Sequence, residues 1–252
     1  MNICNIARIN CYASADELVA ALCRDFYSYI TELTQTKSRI FLAISGGNTP
    51  KAFFKQLAFD QDLPDRKIDW SNIHFFWVDE RCVPPEHPES NYGMAYKYLL
   101  QKIRIPEYNV HRIRGENNPS EESIRYEKEI LRCLNLSDGI PIFDWIFLGI
   151  GNDGHTASIF PDQPELLTTK KICESTTHPV TGQYRITITG PTLIHAKRIT
   201  FLVVGDSKSI VLKNILHDEP EAKQYPASFM KPVSGKLDWY MDEQAAKYVK
   251  TQ

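Results

Sequence analysis

The sequence lacks the features that mark several specialised protein classes. Its six cysteines, Cys4, Cys11, Cys23, Cys82, Cys133 and Cys173, form no C-x-x-C pair, and no two histidines stand at zinc-finger spacing. Neither a zinc module nor a disulfide framework is therefore supported, and free thiols in a reducing cytoplasm are the expected state. No apolar run approaches the roughly 20 residues that cross a bilayer, and MNICNIARIN lacks the charged start and apolar stretch of an export signal. No G-x-S-x-G elbow is present, so a serine nucleophile has no motif to support it. Neither charge dominates: 29 Lys and Arg stand against 31 Asp and Glu, for a net charge of -2. Without a broad basic field, neither nucleic acid nor an anionic membrane is an expected partner, and any phosphate recognition has to be local. Repeats, low-complexity segments and linkers are missing too. The remainder is a chain of 252 residues, 42% hydrophobic and 24% charged, which reads as a cytoplasmic, monomeric, globular protein with one domain over 1–252.

What is present is an alternation of apolar strands and amphipathic helices. Ser14 followed by Glu17 reads as a capping box, and Leu18, Leu22, Phe26, Ile30 and Leu33 then recur at helical spacing, so the first expected element is a helix. Ile40 to Ile44 reads as a strand running into SGGNTP, where Thr49 would cap a helix beginning at Pro50. Ile73 to Val78 is a second strand, followed by a polar loop and a helix capped by Ser90 with Tyr92, Ala95 and Leu99 on its apolar side. Asp144 to Ile150, Arg185 to Thr189 and Ile199 to Val204 repeat the pattern, and a tail strand at Leu237 to Met241 precedes a final helix. Such alternation predicts an α/β protein with a mostly parallel sheet and helices on both faces.

The polar clusters SGGNTP, DER, GNDGH and GDSK each follow a strand, and in a parallel sheet such loops meet at one edge, where open α/β proteins bind ligands. Within FLGIGNDGHTASIFP the glycines Gly149, Gly151 and Gly154 match the dinucleotide fingerprint G-x-G-x-x-G. Pro161 follows too soon for the crossover helix that a nucleotide site needs, and Asp153 would bring a carboxylate toward the pyrophosphate, so that reading is rejected.

Ser45, Gly46, Gly47, Asn48 and Thr49 offer two hydroxyls and close backbone approach at a helix start, a good phosphate cradle. The same residues also make an ordinary tight turn. Lys208 and Arg185 can add cations there, or be solvated surface charges. Asp79, Glu80 and Arg81 put charge at the end of an apolar strand, for binding or for a structural ion pair. His155 sits in the Gly-rich loop with Asp153 beside it, as a general base and its orienting carboxylate would. His74 lies inside a strand, while His87, His111, His178, His195 and His217 read as structural or solvent-facing.

Taken in order and at their separations, AISGGNTP, FFWVDERCVPPEHPESNY, FLGIGNDGHTASIFP, RITIT and GDSK closely resemble the 6-phosphogluconolactonase family, over about Ser14 to Tyr240. The wider group includes glucosamine-6-phosphate deaminase. The resemblance implies a modified doubly wound, Rossmann-like α/β fold without metal or nucleotide cofactor. It implies hydrolysis of 6-phospho-D-glucono-1,5-lactone to 6-phosphogluconate, the second step of the oxidative pentose phosphate pathway. In that reading Ser45, Gly46, Gly47, Arg185 and Lys208 hold the 6-phosphate, with Asn48, Thr49, Asp79 and Glu80 around the substrate. His155 is the base, Asp153 orients it, and Arg81 lies near the reacting lactone. The deaminase pattern differs at three places: I-A-F-N-E-P replaces the stretch ending in Phe160 and Pro161, P-T-G-G-T-P replaces SGGNTP, and no Arg completes DER. A sugar-phosphate sensor without turnover is the rival of another class, and the joint presence of His155, Asp153 and Arg81 favours the enzyme.

Overall fold

In the computed structural model, which describes residues 7–64 and 66–249, two sheets of different character meet at one edge of the molecule. In chain order the elements are β1 (Ala7–Tyr12), α1 (Ala15–Thr34), β2 (Ile40–Ile44), α2 (Asn48–Asp60), β3 (Ile73–Trp77), β4 (Asp79–Arg81), α3 (Asn91–Tyr98), β5 (Val110–His111) and α4 (Pro119–Cys133). There follow β6 (Leu136–Ser137), β7 (Ile140–Pro141), β8 (Trp145–Leu148), β9 (Cys173–Thr177), β10 (Tyr184–Ile188), α5 (Gly190–Ile194), β11 (Arg198–Val203), α6 (Ser209–Leu216) and β12 (Lys236–Asp242).

The main sheet has seven strands in the order β1-β12-β11-β8-β2-β3-β5, and all of its pairings are parallel. β2, β3 and β8 are buried at every position, as strands covered on both faces must be. On one face Phe26 of α1 stacks on Trp145 at 5.9 Å, and Phe53 of α2 meets Phe147 at 5.5 Å. On the other, α4 supplies Tyr126, whose hydroxyl donates to the Trp77 carbonyl at 2.9 Å and accepts from its N–H at 2.8 Å. From β2 the chain winds outward through β3 to β5, then returns to β8 and winds the opposite way through β11 to β12. The reversal falls between β2 and β8, so the loops after these two strands flank the topological switch point.

The second sheet is antiparallel, in the order β4-β10-β9. Here the sequence reading needs correction: Arg185 to Thr189 does not join the parallel sheet. Its alternation in sequence is the sign of this: Ile186 and Ile188 join the apolar core, while Arg185 and Thr187, buried as well, lie on the other face opposite Arg81 and Asp79. The expected helix at Pro50 starts earlier, at Asn48, because Gly47 at φ 110 caps it. Edge strand β1, half exposed, precedes the helix that the sequence pattern puts first, and α4, β5 and β9 add to the elements that the pattern shows. Among the described residues after Asp242, up to Val249, the chain makes turns and no final helix: one α-turn closes, Ala246 N–H to the Asp242 carbonyl, and does not propagate. The cap at Ser14 forms as expected, with its hydroxyl accepting from Glu17 N–H at 3.2 Å. Among the described residues Cys11, Cys23, Cys82, Cys133 and Cys173 are all free thiols; Cys4 lies outside them. No described helix is long and apolar enough to cross a membrane.

Candidate active site

The loop after β8 does not open a long helix, as a dinucleotide loop would; the next helical turn is a short 3-10 segment at Pro164–Leu167. Its glycines have other tasks. A Cβ on Gly151 would collide with both the His155 ring and the Asp153 carboxylate, so only glycine lets these two side chains meet. Gly154, at φ 80, lies against the Tyr225 ring and turns the backbone back so that Gly151 N–H donates to the His155 carbonyl at 2.9 Å. His155 Nδ1 then donates to Asp153 Oδ1 at 2.6 Å. Burial pulls the Asp153 carboxyl upward, but the hydrogen bond and charge of His155 outweigh it and hold that carboxyl at about 2. With the proton fixed on Nδ1, the lone pair of His155 is at Nε2, on a ring whose side chain is 32% exposed and open to water.

Two residues further on, Ala157 adopts φ 51, the left-handed region that a residue with a side chain rarely enters. The flanking chain is clamped. Ser158 donates its hydroxyl to Asp79 Oδ2 at 2.7 Å and its N–H to the Thr187 hydroxyl at 3.2 Å. The 155–160 stretch is thereby fastened under the face of the small sheet that carries Asp79 and Thr187.

By register and alternation that same face also carries Arg81, Arg185 and Thr176, which lie directly opposite one another across β4, β10 and β9. Two arginines facing each other across an antiparallel pair repel. Among the described residues neither is in an ion pair, and the Nε of each is buried without a hydrogen-bond partner. Burial and then the charge of Arg81 lower the Arg185 pKa. Arg81 Nη1 donates to the Glu89 carbonyl at 2.6 Å and so also ties down the loop after β4, whereas the two Nε groups are left to bind anionic oxygens of a ligand.

Glu80 points the opposite way. Its carboxylate is buried and accepts from the N–H groups of Arg81, Asn91 and Tyr92, each at 2.8 Å, and from the Ser90 hydroxyl at 3.1 Å. Burial pushes it up to about 7 against the pull of those N–H groups. Both oxygens are occupied in tying β4 to the start of α3, so Glu80 braces Arg81 from within the fold. Asp79 is likewise occupied by Ser158 and by Asn91 Nδ2, the latter at 3.3 Å.

Beside this sheet lies the loop after β2. Gly46 packs so tightly on the Asn91 side chain that any Cβ would collide with it, which pins the loop to β4 through Asn91 Nδ2 and the Asp79 carbonyl, 3.0 Å apart. The Ser45 hydroxyl is buried without a partner. Asn48 and Thr49 form the first turn of α2, at its positive end. Of six buried side-chain N or O atoms without partners among the described residues, three belong to Ser45, Arg81 and Arg185, so unmet polar groups concentrate at this edge. Lys208 approaches from the β11 side, with Nζ donating to Asn152 Oδ1 at 2.6 Å; burial lowers its pKa against the pull of Asp153. Lys208 thus stands on the Asp153 side of the loop.

His178, read from the sequence as structural or solvent-facing, follows β9 directly; its ring meets Phe160 edge-on at 4.9 Å, and Phe160 in turn lies 4.9 Å from the His155 ring. No neighbour in the chain marks it, and only the pairing of β9 with β10 brings it here.

Among the described residues, the possible metal ligands His111, Glu129 and Cys133 form one group with ligand atoms within 4.8 Å, at the β5 edge of the main sheet. Those atoms are engaged with each other and with Arg132: His111 Nδ1 to Glu129 is 2.7 Å, and Arg132 reaches both Glu129 oxygens at 2.8 and 3.0 Å. A cleft of about 1710 Å³ begins at Gly47, Asn48 and Arg81 and runs past Tyr92 and Arg112, but neither His155, Arg185 nor Lys208 lines it. Gly47, Asn48 and Arg81 thus stand at the mouth of this cleft, and His155, Arg185 and Lys208 stand outside its lining.

Comparison with known proteins identifies the family. Residues 13–239 match the family described as glucosamine-6-phosphate isomerases/6-phosphogluconolactonase. The 6-phosphogluconolactonase of Haemophilus influenzae is 42% identical over 238 residues, 94% of this chain and 97% of that one. The Synechocystis protein of the same name is 40% identical over 220 residues, covering 86% and 88%. The solved 6-phosphogluconolactonase of Trypanosoma cruzi superposes with a TM-score of 0.85 at 29% identity, covering 97% of each chain.

Proposed function

Because this chain belongs to the glucosamine-6-phosphate isomerase/6-phosphogluconolactonase family, we propose that it hydrolyses 6-phospho-D-glucono-1,5-lactone to 6-phospho-D-gluconate, in the oxidative pentose phosphate pathway. The observation that carries the reading is the His155–Asp153 contact at 2.6 Å, together with two opposed arginines whose Nε atoms have no partner among the described residues. A base and an anion site then stand at one sheet edge.

In this mechanism the phosphate is held by the Ser45–Gly46–Gly47 loop, Arg185 and Lys208, and its binding energy orients C1 near His155. Nε2 of His155 takes a proton from water as the water oxygen bonds to C1, and the carbonyl electron pair moves onto its oxygen. Arg81 stabilises that oxyanion. Asp153 stabilises the imidazolium through Nδ1–H. As the carbonyl re-forms, the bond from C1 to the ring oxygen breaks, and His155 gives its proton to the departing oxygen. The product acid ionises in water. One histidine serves as base and then as acid, and no covalent enzyme intermediate is needed.

Kinetics separates the two halves of the site. His155→Ala is expected to lower kcat by about 10²- to 10⁴-fold, the usual range for general acid–base catalysis. Lys208→Ala is expected mainly to raise KM. An unimpaired His155→Ala enzyme would remove the assigned base; ammonia release from glucosamine 6-phosphate would redirect the assignment to the deaminase branch.

A further inference from the structure

The loop from 178 to 183 joins β9 to β10 and is closed by two bonds of 2.9 Å, His178 N–H to the Gln183 carbonyl and Gly182 N–H to the His178 carbonyl. His178 therefore continues the ladder one step beyond Thr177. Its side chain shares a face with Thr176, the partner of Arg185, and so with the two opposed arginines. The ring is locked by its own loop: Nδ1 accepts from Val180 N–H at 3.1 Å and from Thr181 N–H at 3.3 Å. Those bonds need the lone pair on Nδ1, which puts the proton of the neutral ring on Nε2. Among the described residues no protein acceptor meets that N–H. Phe160 lies between this ring and His155, 4.9 Å from each, so the two imidazoles are at most twice that distance apart. A third positive charge would be opposed here: burial, then Arg185 and His155, lower the His178 pKa.

We propose that His178 is a substrate-binding residue, whose Nε2–H donates to an oxygen of the phosphate that Arg185 holds. The assignment rests on the sugar-phosphate reading above. A neutral donor suits the position because it adds a directed hydrogen bond to the anion without adding to the repulsion between Arg81 and Arg185. It also ties recognition of the phosphate to the hairpin whose next strand carries Arg185.

The alternative is that His178 only shapes its hairpin through Nδ1, and His178→Asn separates the two. The Asn carbonyl can replace Nδ1 as acceptor for the Val180 and Thr181 N–H groups, as in an Asx-turn, but nothing replaces Nε2–H. The expected result is an unchanged thermal unfolding temperature and kcat, with KM for the phosphorylated lactone raised about tenfold, the loss of one hydrogen bond to a charged group. KM for unphosphorylated 1,5-gluconolactone stays the same. His178→Gln, which returns an N–H donor near the Nε2 position, recovers part of the loss. A wild-type KM in His178→Asn, or equal losses with both lactones, overturns the proposal; if that variant does not fold, the same comparison is made with His178→Gln against His178→Leu. Titration calorimetry with inorganic phosphate keeps this test separate from the lactonase reading. If the wild-type protein hydrolyses no lactone, that reading fails, while about tenfold weaker phosphate binding in His178→Asn still supports the His178 assignment and equal binding overturns it.

Discussion

In the parallel sheet, β2, β3 and β8 are buried along their whole length, whereas the antiparallel sheet beside it sets Asp79, Arg81, Arg185 and Thr176 on a single face. The first is held by apolar packing on both sides. The second buries Ile186, Ile188 and Cys173 against the core and is fastened besides by side-chain bonds to backbone, through Glu80 and Asn91, and by Ser158 reaching Asp79 and Thr187. The difference locates the recognition chemistry: the large sheet fixes where the loops after β2 and β8 emerge, and the small sheet closes over them with charges that a folding core would not tolerate. His155 lies between the two, on a loop rooted in the first and clamped by the second.

Changes that break this division should differ in size. Trp145→Ala removes a fully buried ring that touches Phe26, Tyr29 and Phe147, and is expected to cost about 3–5 kcal/mol in urea unfolding. A smaller loss would mean that the parallel sheet is not the main source of stability. Glu80→Gln attacks the joint between β4 and α3. Its amide NH₂ would face N–H and O–H donors, so a loss of about 1–3 kcal/mol is expected, with weaker substrate binding as Arg81 loses its brace.

Arg185→Met should move stability and function in opposite directions. Relieving the opposed arginines is expected to stabilise the protein by about 0.5–1 kcal/mol at low salt, while KM for the phosphorylated lactone rises at least about tenfold. Loss of stability alongside loss of binding would show that the arginine pair serves the fold.

The small sheet was also the part least legible in the sequence. Strands Ile40–Ile44, Ile73–Trp77 and Arg198–Val203 announced themselves by continuous apolar runs, and the caps at Ser14 and Ser90 marked two helices. A strand such as Asp79–Arg81 has no apolar pattern of its own. It is extended because Val78 and Ile188 meet and Arg185 pairs with it, contacts that span more than a hundred residues. For the same reason Glu80 and Arg81 looked alike in the sequence, although alternation sends one into the core and the other to the crevice. The pair Asp153 and His155 was legible because the contact is local, two residues apart in one Gly-rich loop. Nothing local marks the surroundings of His178, since its neighbours Phe160 and Arg185 come from other elements.

The smallest expected effect concerns acid stability. The folded Asp153 carboxyl titrates at about 2, below the ordinary value of about 3.9. Its contribution is therefore complete above about pH 4 and is lost as pH falls toward about 2. Asp153→Asn should flatten the stability profile only within that window, and only slightly, because the side chain is 47% exposed and solvent screens it. Carbon-13 titration should also show the carboxyl moving up toward its ordinary value in His155→Ala.

The most direct measurement generates 6-phospho-D-glucono-1,5-lactone in situ and follows its disappearance by NMR against the spontaneous ring opening. The expected result is opening far faster than background with the wild-type protein, and a return close to background with folded His155→Ala. Wild-type decay at the background rate, or full acceleration by His155→Ala, would contradict the account.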